Sequence, residues 1–227
     1  MTLIVGVRGK DGVVVASDSK VLRGGEAEFT NKLYEVDGKL VYAIEGLTGV
    51  ADDFNLLFES ERQRLRDFDS LYNAKVVAED IVAELSKRYT ERVQQPTLGL
   101  LMGGLENLTY GEAQLYYIHD VGYGEKTAMI CSGSGGRYAT TLAKFLLKRD
   151  LTVEELAKRA VFIIAYVAED VDVQVGGQPS AVMIRDTEQV TPNPLQYINQ
   201  NELEKMVEKA KQVKENLPDL LDFKSSQ

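Results

Sequence analysis

The chain has 227 residues, of which 44% are hydrophobic, and a formal net charge of −9 at pH 7. This length can bury one sizeable core and is typical of a single domain, and the negative charge argues against nucleic-acid binding. No apolar run is long enough for a membrane span, and we expect no secretory signal and a cytoplasmic location. One cysteine, Cys131, excludes an internal disulfide, and with the single histidine His119 it gives no reason to expect a metal or another cofactor.

Two short apolar strands open the chain. Residues 3–7 and 13–17 are rich in β-branched side chains, which suits strands, and Gly9-Lys10-Asp11-Gly12 between them is typical of a hairpin turn. The second strand ends at Asp18. The hairpin is therefore expected to bring this carboxylate back to the start of the first strand, where Thr2 stands directly behind Met1.

Thr2 is the first candidate catalytic residue. N-terminal processing enzymes of bacteria and archaea remove Met1 when the next residue is small, and Thr2 would then carry a free α-amine beside its hydroxyl. A hydroxyl needs a nearby proton acceptor to become a nucleophile, and an α-amine with a pKa of about 7.7–8.0 can serve. Only Met1 precedes Thr2, so we expect activation by an aminopeptidase rather than by self-cleavage of a propeptide. Taken alone, a threonine at position 2 is commonplace.

Helix and strand patterns alternate through the middle of the chain. An apolar face from Asp53 to Phe68 predicts one helix. Apolar residues recur every fourth position from Val77 to Val93 and predict a second, which Gln95-Pro96 should end because proline cannot continue the helical hydrogen bonds. Three strands are predicted next, at residues 97–103, 113–119 and 127–131.

The last third of the chain predicts two further helices, a strand and a separate C-terminal segment. Thr152-Val-Glu-Glu155 is a capping box that begins one helix, and 181–184 is a strand. Another helix opens at Gly135-Gly136, with an inward face of Tyr138, Leu142, Phe145 and Leu146. We assign residues 1–190 to the main domain and 191–227 to a connector, a helix beginning near Asn201 and a mobile tail. That helix either packs on its own domain, which we favour, or docks on a neighbouring subunit.

Residues 2–20 resemble the N-terminus of proteasome β-subunits, which are N-terminal-nucleophile hydrolases, and the resemblance continues to about residue 187. Periodicity gives α and β elements in order but not how they stack. The resemblance implies the stacking, a four-layer α/β/β/α sandwich, and it implies a threonine-type peptidase.

The resemblance also assigns the site residues by position. It implies that Thr2 is the nucleophile, that Lys32 in the segment 31–36 is the catalytic lysine, and that Asp18 is its partner. The N–H of Gly46 in the segment 43–49 would form the oxyanion hole, and the supporting residues would be Ser134 in the segment 131–136 and Asp172, ahead of Gly176-Gly177. The sequence departs from the family at Val175, where a serine is usual. The substrate cleft would be lined near Thr2 by Val21, Thr30, Ile44 and Thr48, which favours apolar side chains, while Glu45 would favour basic ones.

Three functions fit these residues. The first, which we prefer because Thr2, Asp18 and Lys32 are all present, is a proteasome-like threonine endopeptidase acting on unfolded polypeptides or peptides. It would work in a ring-forming homo-oligomer, with α-type proteasome rings as partners. The second is a related amidohydrolase or a connectase-like transpeptidase, in which an amine replaces water as the acyl acceptor. The third is a non-catalytic structural ring subunit, which Val175 favours.

Overall fold

The computed structural model describes residues 2–23, 25–65, 68–90 and 98–221. Across these ranges the chain forms twelve strands and five helices. In chain order they are β1 (Leu3–Arg8), β2 (Gly12–Ser17), β3 (Lys20–Arg23), β4 (Glu26–Phe29), β5 (Leu33–Val36), β6 (Leu40–Gly46), α1 (Thr48–Leu65), α2 (Leu71–Thr90), β7 (Leu98–Leu105), β8 (Ala113–Ile118), β9 (Gly124–Lys126), β10 (Met129–Gly133), α3 (Gly136–Leu146), α4 (Val153–Asp170), β11 (Ser180–Arg185), β12 (Leu195–Tyr197) and α5 (Gln200–Leu221).

Two antiparallel five-stranded sheets form the centre of the molecule. The first has the order β10-β1-β2-β11-β12 and the second the order β5-β6-β7-β8-β9, while β3 and β4 pair as a separate hairpin. The predicted β1–β2 turn closes where the Gly9 N–H donates to the Gly12 carbonyl at 2.8 Å. Gly12 must be glycine, because a Cβ there would lie 2.1 Å from the carbonyl oxygen of Ile184 on the neighbouring β11.

The sheets stack face to face, with helices on both outer sides. β1 is buried on both faces: Leu3, Val5 and Val7 pack into the core beneath α3 and α4, whereas Ile4 packs between the two sheets. This follows from the two-residue period of a strand, and it explains why residues 3–7 of β1 carry no polar side chain instead of alternating. A third core joins the second sheet to α1 and α2. The predicted four-layer α/β/β/α sandwich is confirmed.

Helix boundaries differ from the sequence prediction at both ends of α1 and at the start of α2, which begins at Leu71 rather than near Val77. α1 begins at Thr48 rather than Asp53, soon after β6 ends. Its first turn buries Val50 but shows little apolar periodicity, so the sequence pattern did not indicate that this turn is helical. α1 ends at Leu65, and Phe68 is buried but not helical. The predicted end of α2 at Gln95-Pro96 and the first residue of the strand predicted at 97–103 lie outside the described residues, as does the tail beyond Leu221.

The predicted inward face of α3 is wrong at one position. Phe145 is 73% exposed, whereas Ala139 and Ala143 are fully buried and let the helix approach the first sheet closely. Phe145 follows Ala143 by two positions, so it points about 200° away around the helix. Tyr138, Leu142 and Leu146 are partly buried against the core. The capping box of α4 is present as predicted, with Thr152 and Glu155 each bonding the other's backbone N–H.

The segment 191–227 contributes to the same sheet and core as the rest. β12, which the sequence does not predict, pairs with β11 and completes the first sheet. On α5, Leu203 and Ala210 are buried, Leu203 in the core beneath α4, and Glu202 pairs with Lys158 of α4 at 2.7 Å. The domain boundary at residue 190 stays a prediction. No helix among the described residues is long and apolar enough to cross a membrane.

Candidate active site

A buried ion pair lies at the start of β1. The Lys32 ammonium and the Asp18 Oδ1 are 2.7 Å apart, with side-chain exposures of only 4% and 0%. Burial lowers the pKa of Lys32 below its ordinary value, and the negative charge of Asp18 opposes that shift. A pair so deeply buried persists only when further hydrogen bonds satisfy its remaining polar atoms.

Backbone N–H groups supply those bonds to Asp18. Oδ1 also accepts from the Leu3 N–H at 3.0 Å, so the same oxygen that binds Lys32 binds the peptide group joining Thr2 to Leu3. Oδ2 accepts from the N–H groups of Lys20 at 3.3 Å and Gly176 at 3.1 Å. The ion pair is therefore held next to the peptide group that follows Thr2, as predicted from the β1–β2 hairpin. No local sequence pattern predicts that Gly176, 158 residues away, bonds to this pair.

Thr2 is 6% exposed and lies between two cavities. The first, here called the Ile44 cavity, is a narrow space of about 50 Å³. Its lining includes all four predicted cleft residues together with the ion pair's lysine, and it is made of Thr2, Val21, Thr30, Lys32, Tyr34, Ile44, Gly46, Thr48, Ala51 and Asp52. Tyr34, Ala51 and Asp52 are additions that the sequence did not identify. The substrate role of this cavity stays a prediction.

The second, here called the Glu45 cavity, has a volume of about 350 Å³. It is lined by Thr2, Glu45, Gly46, Leu47, Ser132, Gly133 and Ser134. Ile44 and Glu45 are neighbours on β6, so their side chains point to opposite sides of the strand. Glu45 thus faces away from the Ile44 cavity, and the expectation that it would act there on substrate side chains is not met.

Two of the predicted site residues, Gly46 and Ser134, line the Glu45 cavity. Gly46 ends β6 and lines both cavities. Its φ is +127°, a backbone conformation that residues other than glycine rarely adopt. Ser134 lies between β10 and α3, and its buried Oγ has no hydrogen-bond partner among the described residues. It does not cap α3, whose N-cap residue is Gly135. A buried hydroxyl without a partner is costly, which indicates a group positioned for something that binds in this space.

Asp172 and Val175 lie in the loop between α4 and β11. The Asp172 Oδ1 accepts from the Gln174 N–H at 2.9 Å, a local turn contact, and Asp172 lines neither cavity. Its supporting role stays a prediction. Val175 is buried in the core beneath α3 and α4, and its side chain lies where a Cβ on Gly135 would come within 2.9 Å. Val175 therefore packs as an apolar side chain below the turn that contains Ser134, whereas a serine at position 175 would offer a hydroxyl there.

Glu45 belongs to a hydrogen-bonded cluster that sequence reasoning missed. The Tyr117 hydroxyl donates to Glu45 Oε1 at 2.5 Å and the Ser132 hydroxyl donates to the same oxygen at 2.6 Å. Burial, and then the charge of Glu45, raise the pKa of Tyr117 far above its ordinary value, so this hydroxyl keeps its proton. The strand alternation at Ile44-Glu45 was the one signal that could have separated Glu45 from the cleft residues.

Cys131 and His119 take no part in this arrangement. Burial raises the pKa of Cys131 to about 11, which leaves the thiol uncharged and unreactive near neutral pH. His119 contacts Glu125, meets the Tyr117 ring edge-to-face and stacks on the Tyr123 ring. No group of metal-binding side chains occurs within the parts of the chain that the structure describes.

Gly133 offers a test of how tightly the backbone at Thr2 is constrained. Gly133 pairs with Leu3, has φ +94°, and a Cβ on it would lie 1.9 Å from the Thr2 carbonyl oxygen. We expect Gly133→Ala to lower the free energy of unfolding by at least about 1–3 kcal/mol and to displace Thr2, which urea denaturation and activity assays would detect. Gly49→Ala is the control, since no atom lies within 4 Å of a Cβ there. Equal stability of both variants would contradict the expectation.

Comparison with known proteins identifies the family. The family model described as "Proteasome subunit" matches residues 2–179. The chain belongs to the proteasome subunit family. The match includes every candidate site residue of this proteasome-family chain and ends at the start of β11.

Two sequence relatives agree with this assignment, and a solved structure shares the fold. The ATP-dependent protease subunit HslV of Caulobacter sp. (strain K31) is 32% identical over 170 residues, which cover 72% of this chain and 86% of that protein. Proteasome subunit beta 1 of Pyrobaculum arsenaticum is 28% identical over 164 residues, covering 71% and 79%. The structure of Anbu from Yersinia bercovieri has a TM-score of 0.76 at 18% identity and covers 97% of both chains, so the shared fold extends to α5.

Proposed function

We propose that this chain is a proteasome-like threonine endopeptidase that uses Thr2 as an N-terminal nucleophile after Met1 has been removed. One observation carries the proposal: the buried Asp18–Lys32 pair is bonded to the peptide N–H that follows Thr2, and Thr2 itself lies between two cavities. Lys32 and Thr2 line the same cavity, which allows the ammonium to stabilise the alkoxide that forms when the Thr2 hydroxyl attacks.

The first chemical step is attack by the Thr2 hydroxyl on an amide carbonyl. The hydroxyl proton passes to the α-amine of Thr2, and the Lys32 ammonium stabilises the developing negative charge on oxygen. Because burial lowers the pKa of Lys32, the charge of Asp18 is what keeps the lysine protonated and electrostatically useful. The Gly46 N–H is the proposed oxyanion donor, and such donors contribute roughly 2.7–4 kcal/mol in comparable sites.

The second step releases the bound acyl group. The amine leaving group takes the proton from the α-ammonium and departs, which leaves an ester on Thr2. Water attacks this ester and gives a proton to the α-amine. The ester bond to the Thr2 oxygen then breaks, the α-ammonium returns the proton to that oxygen, and the carboxylic acid leaves. Ser134, whose buried hydroxyl has no partner among the described residues, is proposed to orient the α-amine, and Asp172 is proposed as the second supporting residue. The substrate side chain before the scissile bond would enter the Ile44 cavity, where Val21, Thr30, Ile44 and Thr48 lie beside Thr2.

The proposed setting is the cytoplasm, in a ring-forming homo-oligomer with α-type rings as partners and unfolded polypeptides or peptides as substrates. In support, both relatives named above are described as subunits, one of them of a protease. The burial of Val175 beneath the Ser134 turn favours a second candidate, a ring subunit without peptidase activity, because it removes a hydroxyl from the amine's surroundings.

Intact mass spectrometry tests the proposal on protein purified from its native host. We expect the mass to show loss of Met1, and we expect one molecule of a peptide β-lactone or epoxyketone to add to each trimmed chain. Trimmed protein that forms no adduct would contradict the proposal and favour the structural subunit. Adding a peptide with a free amine, beside one with a blocked amine, separates hydrolysis from transpeptidation, because only the transpeptidase gives a ligated product.

A further inference from the structure

The Glu45 cluster joins the two sheets next to Thr2. Glu45 lies on β6 and Tyr117 on β8 of the second sheet, while Ser132 lies on β10 of the first. The Tyr117 and Ser132 hydroxyls are 2.9 Å apart, and both donate to Oε1 of Glu45. Gly99 makes room for them, since a Cβ there would lie 2.4 Å from both Glu45 Oε1 and the Tyr117 hydroxyl. One oxygen of the carboxylate is thus held firmly in place.

The other oxygen of Glu45 is left unused. Oε2 is buried and has no hydrogen-bond partner among the described residues, and it lies 3.1 Å from where a Cβ on Gly133 would be, within the lining of the Glu45 cavity. A buried carboxylate oxygen without a hydrogen-bond partner is costly, and a cation entering the cavity would offset that cost.

The lining of the Glu45 cavity fits a cation. Besides Glu45, it consists of hydroxyl side chains, glycines and Leu47, and no basic side chain of the described residues belongs to it. Ser134 Oγ, also buried and without a partner there, is a second acceptor facing the same space. The cavity is about 350 Å³, which is large enough for a long side chain.

The position of this cavity relative to Thr2 indicates which part of a substrate would enter it. If the side chain before the scissile bond occupies the Ile44 cavity, the chain beyond the scissile bond continues on the opposite side of Thr2. Glu45 and Ile44 point to opposite sides of β6, so the Glu45 cavity lies on the leaving-group side. This step rests on the proposed function.

We propose that the Glu45 cavity is a specificity site that binds a lysine or arginine side chain in the residue following the scissile bond. The ammonium or guanidinium group pairs with Glu45 Oε2 and donates to Ser134 Oγ. Tyr117 and Ser132 are positioning residues that hold the carboxylate in this orientation.

Peptide binding to the Thr2→Ala variant tests this inference without any turnover. Three fluorescein-labelled peptides carry one leucine, for the Ile44 cavity, followed by lysine, norleucine or glutamate, with alanines elsewhere. By fluorescence anisotropy we expect the lysine peptide to bind about tenfold more tightly than the norleucine peptide, and the glutamate peptide more weakly than either. In Thr2→Ala/Glu45→Gln, the lysine-to-norleucine ratio should fall to within about twofold.

Thr2→Ala/Glu204→Gln is the matched control, because it removes one negative charge from the exposed surface of α5 and should keep the tenfold ratio. Equal binding of the three peptides to Thr2→Ala would overturn the proposal. So would a Glu45→Gln effect of the same size on all three peptides, which would mean that Glu45 shapes the cavity without pairing with charge.

If circular dichroism shows that Glu45→Gln does not fold, the order of the three peptides on Thr2→Ala decides alone. Failure of Thr2 to form an acyl adduct would leave this binding result unchanged, so the two proposals can fail separately.

Discussion

Asp18→Ala is expected to lower the free energy of unfolding by about 3–5 kcal/mol, because it removes the carboxylate that pairs with the buried Lys32 ammonium. It also removes the acceptor for the N–H groups of Leu3, Lys20 and Gly176. Urea denaturation at neutral pH measures the loss. Removing Glu61 from its solvent-exposed pair with Arg64 is the comparison, and it should change stability far less because water screens that pair.

The pH dependence of this loss has a definite sign. In the variant, Lys32 lacks the charge that opposes the effect of burial, so its folded-state pKa falls further below the ordinary value of 10.5. A lysine with a lowered folded-state pKa destabilises the fold while it stays charged, and the penalty fades as pH rises from that pKa towards 10.5. The stability deficit of Asp18→Ala should therefore narrow at alkaline pH. A deficit that widens with pH would contradict the assignment of the cost to a buried ammonium.

The double variant Asp18→Ala/Lys32→Met separates stability from chemistry. Replacing a buried ion pair by apolar residues of similar volume is often neutral, so we expect the double variant to recover most of the stability that Asp18→Ala loses. It should nevertheless form no adduct with an acyl-trapping probe, because the charge that stabilises the alkoxide is gone. A double variant that is both stable and fully reactive would show that the pair has only a structural role.

Thr2→Ala is expected to abolish adduct formation and to reduce peptide turnover by a factor on the order of 10⁶, the size seen when a nucleophile is removed from a comparable hydrolase. Thr2→Ser keeps both the hydroxyl and the α-amine after trimming, so it should still form the adduct. Peptide hydrolysis followed by fluorescence, with intact mass for the adduct, measures both variants. Folding should be retained, because the bonds that fix the start of β1 come from the Leu3 N–H and carbonyl.

Thr140→Ala provides the control for Thr2→Ala. Thr140 lies on α3, where its hydroxyl donates to the Gly136 carbonyl within the helix, and it lines neither of the two cavities beside Thr2. Its loss should leave adduct formation intact. Residual turnover in Thr2→Ala equal to that of Thr140→Ala would exclude Thr2 as the nucleophile and require another residue in that role.

The amino-acid sequence by itself determined the features that depend on near neighbours. The β1–β2 hairpin, the capping box at Thr152 and Glu155, and most helices follow from periodicity and turn chemistry within a few residues. The hairpin also put Asp18 beside the start of β1, because the turn is short and the register of paired strands leaves one arrangement. The same local rules misjudged Phe145, since only contact with the sheet decides which face of α3 is buried.

Tertiary structure alone decided the contacts that join distant residues. Glu45 meets Tyr117 and Ser132 across separations of 72 and 87 residues, and Gly176 reaches Asp18 across 158. No local sequence pattern predicts these contacts, because the apolar pattern of a strand is the same wherever the strand lies in a sheet. Which cavity a side chain enters depends on the sheet that its strand joins and on the face it presents, and both are fixed only when the two sheets pack together.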